Sequence, residues 1–463
     1  MRKNFFKNFS SILSDFSYTK VRRRIEVESL SKKWGIAAII LYVVYAIGMY
    51  FYIFHGESGG IPASLKGTVA DPQTFMTERE LLLSEEFSKI RNFIFFVVTP
   101  FEWLVYLLIL LTGLSKIFGK WADSRWKLIK NSAYLFLLYL FTSIVFYPID
   151  IYRYKLSKDY GISTQEFSSW MRDYVIDFWV NFGTTLIVVL VVYWLIQKSA
   201  KKWWFYAWLL TIPFAIFMMY IQPVVIDPLY NEFTPLHDKE LEEKILSLAD
   251  QANIPSEHVF EVNMSEKTNA LNAYVTGIGD NSRIVLWDTT LNSLTEKEIL
   301  FIMAHEMGHY VEKHIYIGIA SYLISILVGL WLISKLMPWL ISKFGPTLKI
   351  EKVNDIRSLP LFFVLVSFLL FVSNPLSNYI SRYQETRADE YAMELTGDAE
   401  AGITTFQNLS KAGLSEVNPP WLVKIFRYTH PTMLDRINTV ARYAENKEIE
   451  EESEKEKNTK EQK

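Results

Sequence analysis

The chain has 463 residues, 50% of them hydrophobic, 16% aromatic and 21% charged, with 48 Lys and Arg against 50 Asp and Glu for a formal net charge of -2. That balance excludes a protein that neutralises nucleic-acid phosphates through an overall excess of positive charge. There is no cysteine, which excludes a disulfide framework, a thiolate metal site, a cysteine nucleophile and a prenylation box on the chain itself.

About 20 predominantly apolar residues are needed to cross a hydrocarbon core, and seven stretches reach roughly that length: 34–54, 93–114, 132–149, 174–196, 203–226, 315–340 and 359–380. The fold class expected is therefore mainly α, a polytopic seven-helix membrane protein. Residues 1–33, with Arg22, Arg23, Arg24, Lys32 and Lys33, read as a basic interfacial segment, and the first span reads as a retained anchor because no small-residue cleavage site follows it. Five spans occupy 34–226. Trp203, Trp204 and Tyr206 read as interfacial anchors at a span end. Charged residues inside spans are costly in lipid; Glu102 and Asp177 predict either a hydrated internal cavity or helix–helix pairing, and Lys335 a snorkelling side chain.

Region 227–314 is polar to mixed. It predicts a helix near 238–252 and two strands, 272–276 and 283–287, joined by a Gly/Asp/Asn turn. Thr295 with Glu298 forms a capping box, and no proline interrupts the helix it starts. On that helix the sequence reads His305-Glu306-Met307-Gly308-His309. Two His at i and i+4 share a face and can bind one Zn²⁺, while Glu306 lies beside the open coordination position and can take a proton from water there. With seven His in the chain, random placement gives at most about 0.01 such patterns per chain, so two unrelated surface His are a poor explanation.

A catalytic zinc takes three protein ligands, and without cysteine the third is His, Glu or Asp. Spans 315–340 and 359–380 run out and back, returning the chain to the side of the His pair. There, in region 381–444, Glu385 and Asp389 stand at i and i+4. Glu385 could ligate while Asp389 fixes the tautomer of a ligand imidazole; on spacing alone a solvated charged helix face is the commoner explanation. The Lys/Glu-rich tail 445–463 reads as disordered or as a frayed helix. His55, His237 and His258 read as surface residues, and His314 as structural.

The sequence resembles the type I CAAX prenyl proteases, seven-span membrane zinc metallopeptidases of the gluzincin class. Five segments carry the likeness from about the first span to residue 440: Pro228 to Leu236; Asn272-Ala273-Tyr274 with Arg283 to Thr289; the zinc motif with His314; Ser381-Arg382 through Glu385 and Ala388-Asp389; and Thr429-His430-Pro431 with Arg436. The resemblance implies that His305, His309 and Glu385 bind one zinc ion, that Glu306 activates water, and that His430 donates a hydrogen bond to the tetrahedral oxyanion. It implies that Asn272, Ala273 and Tyr274 offer an edge strand to an extended peptide, with Arg436 also in substrate binding. It further implies a zincin-type catalytic region with a small β-hairpin or sheet, and helices enclosing a hydrated chamber.

The activity expected is hydrolysis of a peptide bond near the C-terminus of a prenylated CAAX-type or similar peptide. The partners expected are a peptide or protein substrate, possibly prenylated, and membrane lipid, with no nucleic acid. The location expected is multi-pass in a membrane, the cell membrane if bacterial and the endoplasmic reticulum if eukaryotic. Two alternatives remain open: a broad-specificity protease for membrane-protein quality control, and a catalytically idle protease-like scaffold. A transporter is disfavoured, since the spans show no two-fold hydropathy repeat.

Overall fold

A computed structural model describes residues 2–56, 59–254, 258–276 and 283–461. Helix α1 (Arg2–Phe54) is followed by α2 (Glu78–Thr112), the short α3 (Leu114–Trp121), α4 (Lys127–Asp159), α5 (Phe167–Lys198) and α6 (Trp203–Ile221). The catalytic region then supplies β1 (Phe233–Pro235), α7 (Lys239–Gln251), β2 (Val259–Val262), β3 (Ala273–Thr276), β4 (Arg283–Trp287), α8 (Asp288–Ser293) and α9 (Glu296–Val311). Helices α10 (His314–Leu348) and α11 (Leu359–Thr396) return to the bundle and back, and α12 (Ala399–Ala412), α13 (Trp421–Phe426) and α14 (Met433–Glu461) complete the chain.

Among the described residues seven helices are long and apolar enough to cross a membrane, and their surfaces carry rows of exposed Ile, Leu, Val, Phe and Trp, as lipid-facing helices do. Several are longer than the apolar stretches predict. Helix α2 has 35 residues and α11 has 38, about 52 and 57 Å at 1.5 Å per residue, against a hydrocarbon core of about 30 Å. The excess of α11 enters the catalytic region without a break, because Gly397, with φ 63°, is the first residue that stops it. The boundary expected at 380/381 is a change of surroundings within one helix. Likewise α1 runs through the boundary expected at 33/34, and α14 carries the charged tail to residue 461 in helical conformation.

Two apolar cores flank the site. One joins α2, α3, α4, α5, α6, α10 and α11 within the bundle and holds fully buried Tyr134, Tyr193 and Met337. Trp203 belongs to this core: it is 2% exposed and its ring lies 6.3 Å from that of Phe362. That corrects its reading as an interfacial anchor, since the indole is spent on helix packing. The other core joins α7, the sheet, α9, α12 and α14 around Ile245, Leu286, Phe301 and Ile437.

The sheet has four strands in the order β1-β2-β4-β3, with β2 parallel to β4 and the other pairs antiparallel. The predicted hairpin is β3 against β4, Tyr274 opposite Val285; the turn expected between them lies outside the described residues. Among the described residues strand β3 pairs only with β4 and so forms one edge of the sheet. Within the helical bundle a cavity of 770 Å³ is lined by Glu102, Asp150, Arg153, Asp177 and Asn181 among others. Glu102 and Asp177 face this cavity while accepting hydrogen bonds from other segments, Glu102 from Ser367 Oγ at 2.9 Å and Asp177 from the Tyr230 hydroxyl at 2.5 Å.

Candidate metal centre

Helix α9 begins where the sequence says it should. Thr295 N donates to Glu298 Oε2 at 2.8 Å and Glu298 N donates to Thr295 Oγ1 at 3.4 Å, the reciprocal capping box. Glu298 Oε1 also accepts from Asn408 Nδ2 at 2.8 Å, fixing α9 to α12. From this start His305 and His309 fall on one face, toward α11. What lets α11 come close is Gly308: a Cβ there would stand 3.1 Å from Ala388 Cα and 3.2 Å from Tyr391 Cβ.

Across that contact the ligand atoms of His305, His309 and Glu385 lie within 4.8 Å of one another. His305 Nε2 is 3.2 Å from Glu385 Oε2, His309 Nε2 is 3.4 Å from Glu385 Oε1, and the two Nε2 atoms are 3.2 Å apart. The outer nitrogens are held elsewhere. His305 Nδ1 donates to Asp389 Oδ1 at 2.8 Å, and His309 Nδ1 lies 2.9 Å from Nδ1 of the buried His314. Arg436 in turn donates to Asp389 through Nε at 2.9 Å and Nη2 at 2.6 Å. Glu385 Oε2 is buried with no hydrogen-bond partner. Two imidazole nitrogens and a carboxylate aimed at one point repel unless a cation or protons lie among them, so the donor set fits a metal ion.

The electrostatics are those of a dry site. Burial opposes a charge on His305, but the Asp389 and Glu385 carboxylates outweigh it and raise its pKa to about 9. Burial raises the Glu306 carboxyl above the ordinary range, against the pull of both His. It also lowers His430, which Glu385 partly offsets.

His430 follows α13 and stands with Nε2 3.4 Å from Glu385 Oε2; its Nδ1 is 2.9 Å from Thr429 Oγ1. Arg382, one turn before Glu385 on α11, donates to the carbonyls of Lys424 and Tyr428 at 2.9 and 2.7 Å. The helix that carries Glu385 thereby holds the loop that carries His430. A second cavity, of 500 Å³, is lined by Glu306, His305, Asn272, Ala273, His430 and Arg436 among others. Tyr274 is not among the residues that line it. Sequence reasoning gave no role to Arg382 and rated His314 structural. Its signal was the five-residue spacing from His309, which the left-handed Lys313 (φ 59°) folds back onto the ring.

A polytopic helical fold with a converging pair of His and one Glu, centred on a His-Glu-x-x-His helix beside a cavity of 500 Å³, defines an integral-membrane metallopeptidase. Comparison with known proteins agrees. Residues 235–444 match the model of peptidase family M48, and residues 54–232 match that described as "CAAX prenyl protease N-terminal, five membrane helices". The metalloprotease YhfN of Bacillus subtilis, itself described as uncharacterized, is 52% identical over 88% of this chain and 96% of its own. CAAX prenyl protease 1 of Saccharomyces cerevisiae is 29% identical over 69% of this chain and 73% of its own. The crystal structure of S. mikatae Ste24p superposes with a TM-score of 0.72 at 23% identity, covering 89% of this chain and 98% of that one. The chain belongs to peptidase family M48, and the resemblance read from its motifs is borne out.

Proposed function

We propose that the protein is a zinc endopeptidase that cuts near the C-terminus of a membrane-associated peptide of the prenylated CAAX type. The observation that carries the chemistry is the convergence of His305 Nε2, His309 Nε2 and Glu385 with both Nδ1 atoms already engaged. The CAAX substrate is supported by the N-terminal match and by relatives bearing that name.

Zinc, when bound by these three residues, supplies a Lewis acid that polarises the scissile carbonyl and acidifies water. The rest is done by the chain. The free edge of β3 takes an extended peptide by main-chain hydrogen bonds, with Asn272 and Ala273 beside the reacting centre. Glu306, its pKa raised by burial, takes a proton from the attacking water and later delivers it to the leaving amine. In the tautomer in which Thr429 Oγ1 donates to His430 Nδ1, the ring carries its proton on Nε2, where it can meet the oxyanion. Asp389 and Arg436 hold the His305 tautomer, and His314 orients His309.

The 52% identity to a metalloprotease with no stated substrate favours the broad-specificity reading as the second choice. Intact ligands and an intact Glu306 count against an idle scaffold. The two substrate readings separate when purified protein is given a farnesylated peptide ending in a CAAX sequence, its unprenylated twin and unrelated membrane peptides. A preference of 10-fold or more in kcat/KM for the farnesylated peptide is expected; equal cleavage across the panel would replace the CAAX reading with the broad one.

A further inference from the structure

The cavity beside Glu306 holds positive charge that the hydrolytic step does not use. Arg91 of α2 and Arg427, which follows α13, both line it. Arg427 donates to the buried Asn92 Oδ1, and Arg91 lies over the Phe87 ring at 5.1 Å. Neither is ion-paired with a carboxylate among the described residues. Burial first, and then the neighbouring charge of Arg91, lower the Arg427 pKa to about 10. Glu416 shares the cavity, but burial pushes its carboxyl up to about 7, and the charges that act on it are Lys89, Glu85 and Lys424. Two guanidinium groups close together, half-enclosed and without a counter-anion form a site that an anion relieves. Their planar forks fit a carboxylate.

The anion must arrive with whatever fills the cavity. The same walls carry Glu306, Asn272 and Ala273, so the occupant is the peptide being cut, and 500 Å³ is room for a drug-sized ligand, about a few residues. A short peptide segment of that length that must also bring an anion brings its own terminus. We propose that Arg91 and Arg427 receive the free α-carboxylate of the substrate, so that the enzyme measures its cut from the substrate's C-terminal end. This rests on the peptidase reading above.

The test uses the full-length, zinc-loaded protein and the farnesylated CAAX peptide made as the free acid and as the C-terminal amide, with products read by mass. The acid is expected to be cut 10- to 100-fold better in kcat/KM, chiefly through KM. One residue added at the C-terminus should carry the cut one bond away from the farnesylated cysteine, whereas one added at the N-terminus should leave it in place. Arg91→Met, which breaks no hydrogen bond, should bring the acid-to-amide ratio close to one, and Arg91→Lys should keep part of it. Equal cleavage of acid and amide by the native protein, as a site for lipid phosphate would give, overturns the proposal. So does a cut that stays with the farnesylated cysteine, or an Arg91→Met protein that retains zinc but loses both peptides alike. Native protein that cuts neither peptide, indistinguishable from Glu306→Gln, would overturn hydrolysis itself and the carboxylate site with it.

Discussion

In His305 and His309 the two nitrogens of each ring have separate tasks: Nε2 faces the metal position, and Nδ1 is held by Asp389 or His314. Removing the holder leaves the ligand present but loosely aimed. His314→Ala is therefore expected to weaken zinc binding by about 10- to 100-fold, measurable by competition with a chelator of known affinity; unchanged affinity would return His314 to a packing role. In the proposed mechanism Glu306 acts on the attacking water without being a ligand, so Glu306→Gln should keep one zinc per chain while kcat falls by about 10²- to 10⁴-fold or more.

Glu416 offers a pH signature outside the metal ligands. Its folded-state pKa is raised from 4.5 to about 7, mainly by burial, so the stability it contributes is full below pH 4.5 and is lost as pH rises through 7. Glu416→Gln should then melt like the native protein near pH 4.5 and at a higher temperature at pH 8. A melting difference that does not change with pH would contradict the assignment.

At the scale of elements, the site depends on how closely α9 and α11 approach. Gly308 is the contact point, and a larger residue there must push Glu385 away from both His. Gly308→Leu is expected to lower zinc occupancy and the melting temperature together, an overpacking cost of about 1–3 kcal/mol. Gly318 on α10 has nothing within 4 Å of its Cβ position, so Gly318→Ala, judged by the same two measurements, should be neutral or slightly stabilising. The elements around the site were legible in the sequence because each has a local mark: a capping box for α9, an i, i+4 pair for each half of the site, and short apolar runs either side of a Gly/Asp/Asn turn for β3 and β4. The extent of α11 was not. Loss of hydropathy after residue 380 looks like an end, yet the helix carries Pro375 without stopping and meets no further proline or glycine before Gly397. Strands β1 and β2, of three and four residues, are too short to show a period.

For the whole molecule, seven spans and their mainly helical fold follow from hydropathy alone, while the meeting of distant segments does not. His430 lies 45 positions beyond Glu385 with no helical relation to it, and its place is fixed by Arg382 reaching the carbonyls of Lys424 and Tyr428. Only the family resemblance pointed to it. Arg91 and Arg427 come from segments 336 residues apart and carry no motif. Trp203 shows the opposite failure: a correct statistical rule about membrane interfaces, overridden by a core that needed a large ring.

The central claim, that these segments fold around one hydrolytic zinc, is tested most directly by following peptide cleavage by the purified protein through metal removal and return. Cleavage should stop when a chelator strips the metal and recover on addition of one equivalent of zinc, with peptide-bond hydrolysis products identified by mass; cleavage that continues undiminished in metal-free protein would contradict the account.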